Sequence, residues 1–281
     1  MSPSSSLAQQ AQISAAAPPR REGKDKQPPH VEFLGMRFGL LPQAEVIARL
    51  IGETGAPYRY VVTPNAYDVV LAHEQPADML PIYRGAWLSV CDSRILRALA
   101  RLDGHALPLV TGSDLVAALL SALNTARSAK QVVVVGPDRT TLAALRAAYP
   151  YAAIDVMPAP GGLARDAAAR LAVARACSAR PWDLLLLCVG APAQQLIARH
   201  IGEFGRTSGI ALCVGASVDY LTGAQARAPR WIQTLSLEWA YRLAREPVRL
   251  WRRYLVESPK VLRIFAATRG TRNFSRDASA D

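Results

Sequence analysis

The chain has 281 residues, 51% hydrophobic and 20% charged, enough to bury a sizeable core as one large domain or two closely packed ones. Composition excludes fibrous and collagen-like chains and disulfide scaffolds. The formal net charge is +11, which points to a polyanionic partner: nucleic acid, an acidic membrane face or a phosphate-bearing substrate.

The surplus is local. Between Arg227 and Arg276 stand 12 Lys and Arg against 3 Asp and Glu, while the body of the chain is close to neutral. Cys91, Cys177, Cys188 and Cys213 are widely and irregularly spaced, with no C-x-x-C, and read as buried thiols suited to a reducing cytoplasm. No apolar run reaches the ~18 residues of a membrane span, and the N-terminus lacks a signal-peptide pattern. Any contact with a membrane is therefore expected from the cytoplasmic side.

Residues 1–30 are rich in Ser, Ala, Gln and Pro and read as a disordered tail, because they cannot bury enough apolar surface to offset ordering entropy. An α/β core is expected over 31–225. Short apolar runs at Val31–Leu34, Tyr58–Val62, Trp87–Cys91, Gln131–Val135, Ala153–Met157, Asp183–Val189 and Ile210–Val214 read as strands covered on both faces. Helical patterns such as Asp138–Tyr149 and Arg165–Ala179 separate them. This alternation predicts a mainly parallel, Rossmann-like sheet with flanking helices. A basic helical appendage follows over 226–265, with helices from about Trp231 to Ala244 and Pro247 to Tyr254, then a disordered tail over 266–281. In the second helix Val248, Trp251 and Leu255 share one face, flanked by Arg249, Arg252 and Arg253. Such a helix suits an anionic membrane surface; it equally suits packing on its own domain with a solvated arginine face.

In open α/β sheets ligands bind beyond the carboxyl ends of the strands. There the sequence places Thr63-Pro64-Asn65, Asp92-Ser93-Arg94, Gly136-Pro137-Asp138, Gly190 to Gln195, and Gly215 to Asp219. Glycines allow close backbone approach, and Asn65, Gln194 and Gln195 can recognise hydroxyls or a base. Asp92 follows an apolar strand, so desolvation could fit it for general-base work; the alternative is a cap for the helix starting near Arg94. Asp114 reads as a helix cap. His30, His73, His105 and His200 are scattered, with no H-E-x-x-H, acidic cluster or D-x-D. The G-x-G-x-x-G, P-loop and G-x-S-x-G patterns are absent as well. No metal or cofactor is called for, and arginines are the natural partners of a diphosphate.

The run Val214-Gly215-Ala216-Ser217-Val218-Asp219-Tyr220-Leu221-Thr222-Gly223, with Arg227-Ala228-Pro229-Arg230-Trp231, Leu237-Glu238-Trp239, Tyr241-Arg242-Leu243, Glu246-Pro247 and Arg249 to Tyr254, resembles the WecG/TagA/CpsF glycosyltransferases, glycosyltransferase family 26. Thr63-Pro64-Asn65, Val110 to Leu115 and Gly190 to Gln195 support it, and the likeness covers about residues 31 to 265. The resemblance implies an inverting, metal-independent enzyme. It would move a sugar from a UDP-sugar to an undecaprenyl-diphosphate-linked saccharide on the inner face of the cell membrane, for exopolysaccharide, capsule or a related surface polymer. It implies Asp92 as the base, with Thr63 and Asn65 beside the reacting sugars. It further implies Gln194, Gln195, Asp219 and Gly190 around the donor, where Gly136 at its strand end is also expected to bind substrate, and Arg242, Arg249, Arg252 and Arg253 closing over the diphosphate and docking the membrane. The family's D-G-x-G reads Asp92-Ser93-Arg94-Ile95 here, and its Lys-Gln-Glu reads Ala193-Gln194-Gln195; both bear on the choice of sugar. A scaffold that has lost catalysis and a basic nucleic-acid-binding module are the alternatives, with nucleic acid not expected as the partner. Assembly with a second copy of the chain stays open. Truncation before Leu235 is expected to leave a folded, inactive protein.

Overall fold

Successive side chains of a strand point to opposite faces of its sheet. Here both sets are apolar: Val133, Val135, Leu185 and Leu187 belong to one buried cluster, Val132, Val134, Leu184 and Leu186 to another. Two dry faces require helices on both sides. The computed structural model, which describes residues 28–277 except 54–56, 227 and 236, has that arrangement.

In chain order, β1 (His30–Phe33), β2 (Met36–Gly39), α1 (Gln43–Gly52), β3 (Arg59–Val62), α2 (Ala66–Glu74), α3 (Pro76–Gly85), β4 (Leu88–Ser89), α4 (Arg94–Leu102) and α5 (Gly112–Thr125) come first. A regular alternation follows: β5 (Gln131–Gly136), α6 (Arg139–Ala148), β6 (Ala153–Pro158), α7 (Ala167–Ala179), β7 (Leu184–Leu187), α8 (Ala193–Glu203) and β8 (Ile210–Cys213). The remainder is helical: α9 (Ser217–Leu221), α10 (Arg230–Thr234), α11 (Glu238–Arg245), α12 (Pro247–Trp251), a π-helical segment (Arg252–Glu257) and α13 (Lys260–Asp277).

Six strands form one all-parallel sheet in the order β4-β3-β8-β7-β5-β6. The α/β, Rossmann-like class expected from the sequence is the one observed. The first strand lies outside this sheet. β1 and β2 pair antiparallel as a separate hairpin, turned by Leu34 at φ 50° and Gly35 at φ 72°, the positive pair that a tight two-residue hairpin turn requires. The hairpin buries Phe33, Met36 and Phe38 against one helical layer.

Two expectations are corrected. The strand expected over Trp87–Cys91 pairs with β3 only at Leu88 and Ser89. Beyond these, single backbone bonds continue along β3 and its loop, Val90 N–H to Val62 O at 3.0 Å and Asp92 N–H to Pro64 O at 3.1 Å, while Cys91 bridges to Leu109 on its other side. The tail expected from residue 266 is helical as far as Asp277. Val261 and Phe265, one turn apart, are buried in the core cluster that contains Phe33, with the Phe33 and Phe265 ring centres 6.2 Å apart. Lys260 pairs with Glu74 of α2 at 2.6 Å. Once those turns are docked, each further residue extends the helix at little cost. Truncation before Leu235 would therefore strip cover from the core as well as remove the basic segment. Of the expected N-terminal tail, residues 1–27 lie outside the described residues, and His30 already belongs to β1; the expected 278–281 end and Arg227 also lie outside them.

Candidate active site

Asp92 stands where the chain leaves the sheet. Its N–H donates to Pro64 O at 3.1 Å, and Val110 N–H donates to Cys91 O at 3.0 Å. The residue is thus tied on one side to the loop after β3 and on the other to the segment entering α5. Its carboxyl group accepts the backbone N–H of Gly112. A side chain at Gly112 would meet Ser217 Oγ at 3.0 Å, Val214 O at 3.3 Å and Thr63 Oγ1 at 3.6 Å, so only glycine lets this helix end approach so closely. The cap of α4 is Ser93, whose Oγ accepts from Leu96 N–H at 3.2 Å. Asp92 is therefore not spent on capping α4, which removes the alternative role. Burial pushes its pKa up to about 8, against the Gly112 hydrogen bond and Arg242, which favour the anion; Glu238 and Asp68 add to the rise. A carboxyl group titrating near neutrality is suited to taking a proton.

The loop after β3 is fixed by a second buried carboxylate. Asn65 N–H donates to Asp68 Oδ2 at 3.0 Å, and Asn65 Oδ1 accepts Tyr67 N–H at 2.9 Å, a reciprocal cap on α2. Asp68 Oδ1 accepts from Tyr83 Oη at 2.8 Å and Gln195 Nε2 at 3.0 Å. Asn65 lines the cleft, and with its carbonyl oxygen holding Tyr67 N–H its amide NH2 is left as the available donor.

The C-terminal segment roofs that cleft. A cavity of about 410 Å³ lies between Asn65, Asp92 and Arg94 on the core side and Glu238, Arg242 and Arg253 on the roof. Arg242 lies over the Tyr220 ring at 5.4 Å and Arg253 over the Tyr67 ring at 4.6 Å. The buried Nε atoms of both arginines, and the buried Tyr220 hydroxyl, have no hydrogen-bond partner.

The residues singled out in the sequence divide into three groups. Asn65, Asp92, Arg242 and Arg253 meet at the cleft. Thr63, Gln194 and Gln195 stand behind it: Thr63 Oγ1 donates to Cys213 O at 2.9 Å, Gln194 Oε1 accepts Gly215 N–H at 2.8 Å, and Gln195 holds Asp68. Gly136, Gly190 and Asp219 lie near the neighbouring strand ends, outside the cleft lining. Gly136, at φ 120°, lets the chain pass Cys188 O, which a side chain would approach to 3.1 Å. Asp219 is half-buried, and burial raises its pKa. Arg249 and Arg252 face solvent and pair with Glu246 and Glu257. Asp114 sits in the first turn of α5, where Thr111 is the cap. Sequence reasoning gave no role to Asp68, Tyr83, Tyr220 or Glu238; the Asn65-x-x-Asp68 spacing was the one local signal available. Among the described residues no three His, Cys, Asp or Glu side chains cluster as a metal site, and no helix is long and apolar enough to cross a membrane.

A family model described as the glycosyl transferase WecG/TagA/CpsF family matches residues 31–274. The chain belongs to this family and is a glycosyltransferase of cell-surface polymer synthesis.

The raised carboxyl has a consequence for stability. Its folded pKa, about 8, exceeds the unfolded value of 3.8, so between those values the native state holds a proton that the unfolded chain releases. Stability is thus lost as pH rises from about 4 to 8. Asp92→Asn is expected to melt higher than the wild type, by about 2–4 °C per kcal/mol relieved. The gap should widen across that window and level off above it in calorimetric scans. A gap independent of pH would show that the carboxyl is not held in this state.

Proposed function

We propose that this family member is an inverting hexosyltransferase, which moves a sugar from a UDP-sugar to a hydroxyl of a polyprenyl-diphosphate-linked saccharide. The observation that carries this reading is a half-buried carboxyl group of raised pKa, Asp92, facing guanidinium groups across one cleft. As the acceptor hydroxyl attacks the anomeric carbon, its proton passes to the ionised form of Asp92, whose population grows as pH approaches 8. The new glycosidic C–O bond forms as the bond from the anomeric carbon to the diphosphate breaks, and the electron pair leaves with UDP. Attack from the opposite face inverts the centre. Arg242 and Arg253 on the roof meet the growing charge on the departing diphosphate, an effect strengthened where water is excluded. The amide of Asn65 orients a sugar oxygen. Thr63, Gln194 and Gln195 act by holding the loops, and Gly136, Gly190 and Asp219 border the space for the nucleotide.

The roof also supports work at the cytoplasmic face of a membrane. Val248 is 90% exposed and Trp251 51%, beside Arg249 and the Arg252 side chain, 75% exposed. Apolar groups turned outward among arginines match an acidic lipid surface.

The test of the chemistry is turnover of a panel of UDP-sugars with a short prenyl-diphosphate saccharide acceptor and excess EDTA. One donor is expected to release UDP, and Asp92→Asn to lower the rate by at least about 100-fold, as loss of a general base does. Full activity in the variant would contradict the assignment. Trp251→Glu is expected to weaken co-sedimentation with vesicles containing phosphatidylglycerol several-fold while leaving the melting temperature unchanged; unaltered co-sedimentation would exclude this face as the docking surface.

A further inference from the structure

Arg94 differs from the other two guanidinium groups of the cleft. Arg242 and Arg253 each rest on an aromatic ring. Arg94 has no side-chain hydrogen bond, ion pair or ring partner among the described residues, although it is half-buried and lines the same cavity. Its position is also unfavourable for a cation. It is the first residue of α4, and that helix has no acidic residue in its first turn; the N–H end of a helix repels positive charge. No side chain among the described residues pairs with Arg94, and an anion bound in the cavity would compensate this placement.

The surroundings say which anion. Ile95, next in the chain and 39% exposed, lines the cavity beside Arg94; Leu262, 54% exposed, and Leu255 line it from the C-terminal segment. A cation at the edge of an apolar mouth fits a phosphate joined to a hydrocarbon chain. It does not fit a nucleotide, which carries no such chain. The charge ledger agrees: three arginines line the cavity against two acidic residues, Asp92 and Glu238.

We propose that Arg94 is a substrate-binding residue for the diphosphate of a prenyl-linked acceptor, with Ile95 and Leu262 receiving the first isoprene units. This leaves Arg242 and Arg253 for the diphosphate of the donor. The inference rests on the reading of the reaction given above, which brings two diphosphates together. It assigns each to its own cations.

Titration calorimetry on the full chain, with farnesyl diphosphate and UDP as separate probes, tests this. The wild type is expected to bind farnesyl diphosphate more tightly than inorganic pyrophosphate, and to bind it with UDP already present. Arg94→Gln should weaken farnesyl diphosphate at least 10-fold and change UDP binding less than 2-fold; Arg242→Gln should do the reverse. Leu262→Ser should weaken farnesyl diphosphate several-fold and leave pyrophosphate unchanged. Circular dichroism and melting confirm that each variant is folded. The proposal is overturned if the wild type does not bind farnesyl diphosphate, if the two probes exclude each other, or if Arg94→Gln weakens both alike or neither. Failure of UDP alone to bind would count against the donor reading and leave the farnesyl diphosphate result to decide this one.

Discussion

A half-buried carboxyl group at the end of a short edge strand, set in a cleft that the C-terminal segment roofs, is the constraint on which the site depends. Asp92 reaches that place just past β4, whose two-residue ladder with β3 is prolonged by the Val90 N–H bond to Val62 O. Its backbone is at once taken over by Pro64 and its carboxyl by the N–H of Gly112. Each tether has its own support. Gly112 can approach because it lacks a side chain, and the Pro64 loop is held by the buried Asp68, itself fixed by Tyr83 and Gln195. Asp92 therefore couples three separate parts of the chain, and a carboxyl this desolvated costs the fold stability that the chemistry can use.

The C-terminal segment completes the environment. It returns to the core through Val261 and Phe265, and this return positions α11 and the π-helical turn above Asp92. Glu238 and Arg242, one helical turn apart, act on the carboxyl with opposite sign. Core and roof thus set the basicity of Asp92 together, while the outward faces of the same helices carry Val248 and Trp251. One short stretch of chain serves the chemistry on its inner side and faces solvent, or a membrane in the reading proposed here, on its outer side.

Much of this was legible in the sequence where the physics is local. Runs such as Val132–Val135 and Leu184–Leu187 announce strands covered on both faces, and the sheet has them. Asp92 stood out because it follows an apolar strand. β2 did not, because its four residues continue the apolar run after a turn that only the backbone angles of Leu34 and Gly35 reveal. The Asp68 network was hidden by distance: Gln195 lies 127 residues from its partner. The four arginines singled out in the appendage, Arg242, Arg249, Arg252 and Arg253, could not be sorted from helical spacing. The π-helical segment at Arg252–Glu257 changes the register, turning Arg253 toward Tyr67 and leaving Arg252 in solvent.

The most direct measurement is the titration of the Asp92 carboxyl itself, followed by carbon-13 NMR of aspartate-labelled protein and assigned by the signal lost in Asp92→Asn. The account predicts a midpoint near 8, so that the anion able to take a proton gains population as pH rises toward that value. A midpoint near the ordinary aspartate value of about 4 would contradict it, because Asp92 would then be a solvated anion and the cleft would lack the desolvation on which the mechanism rests.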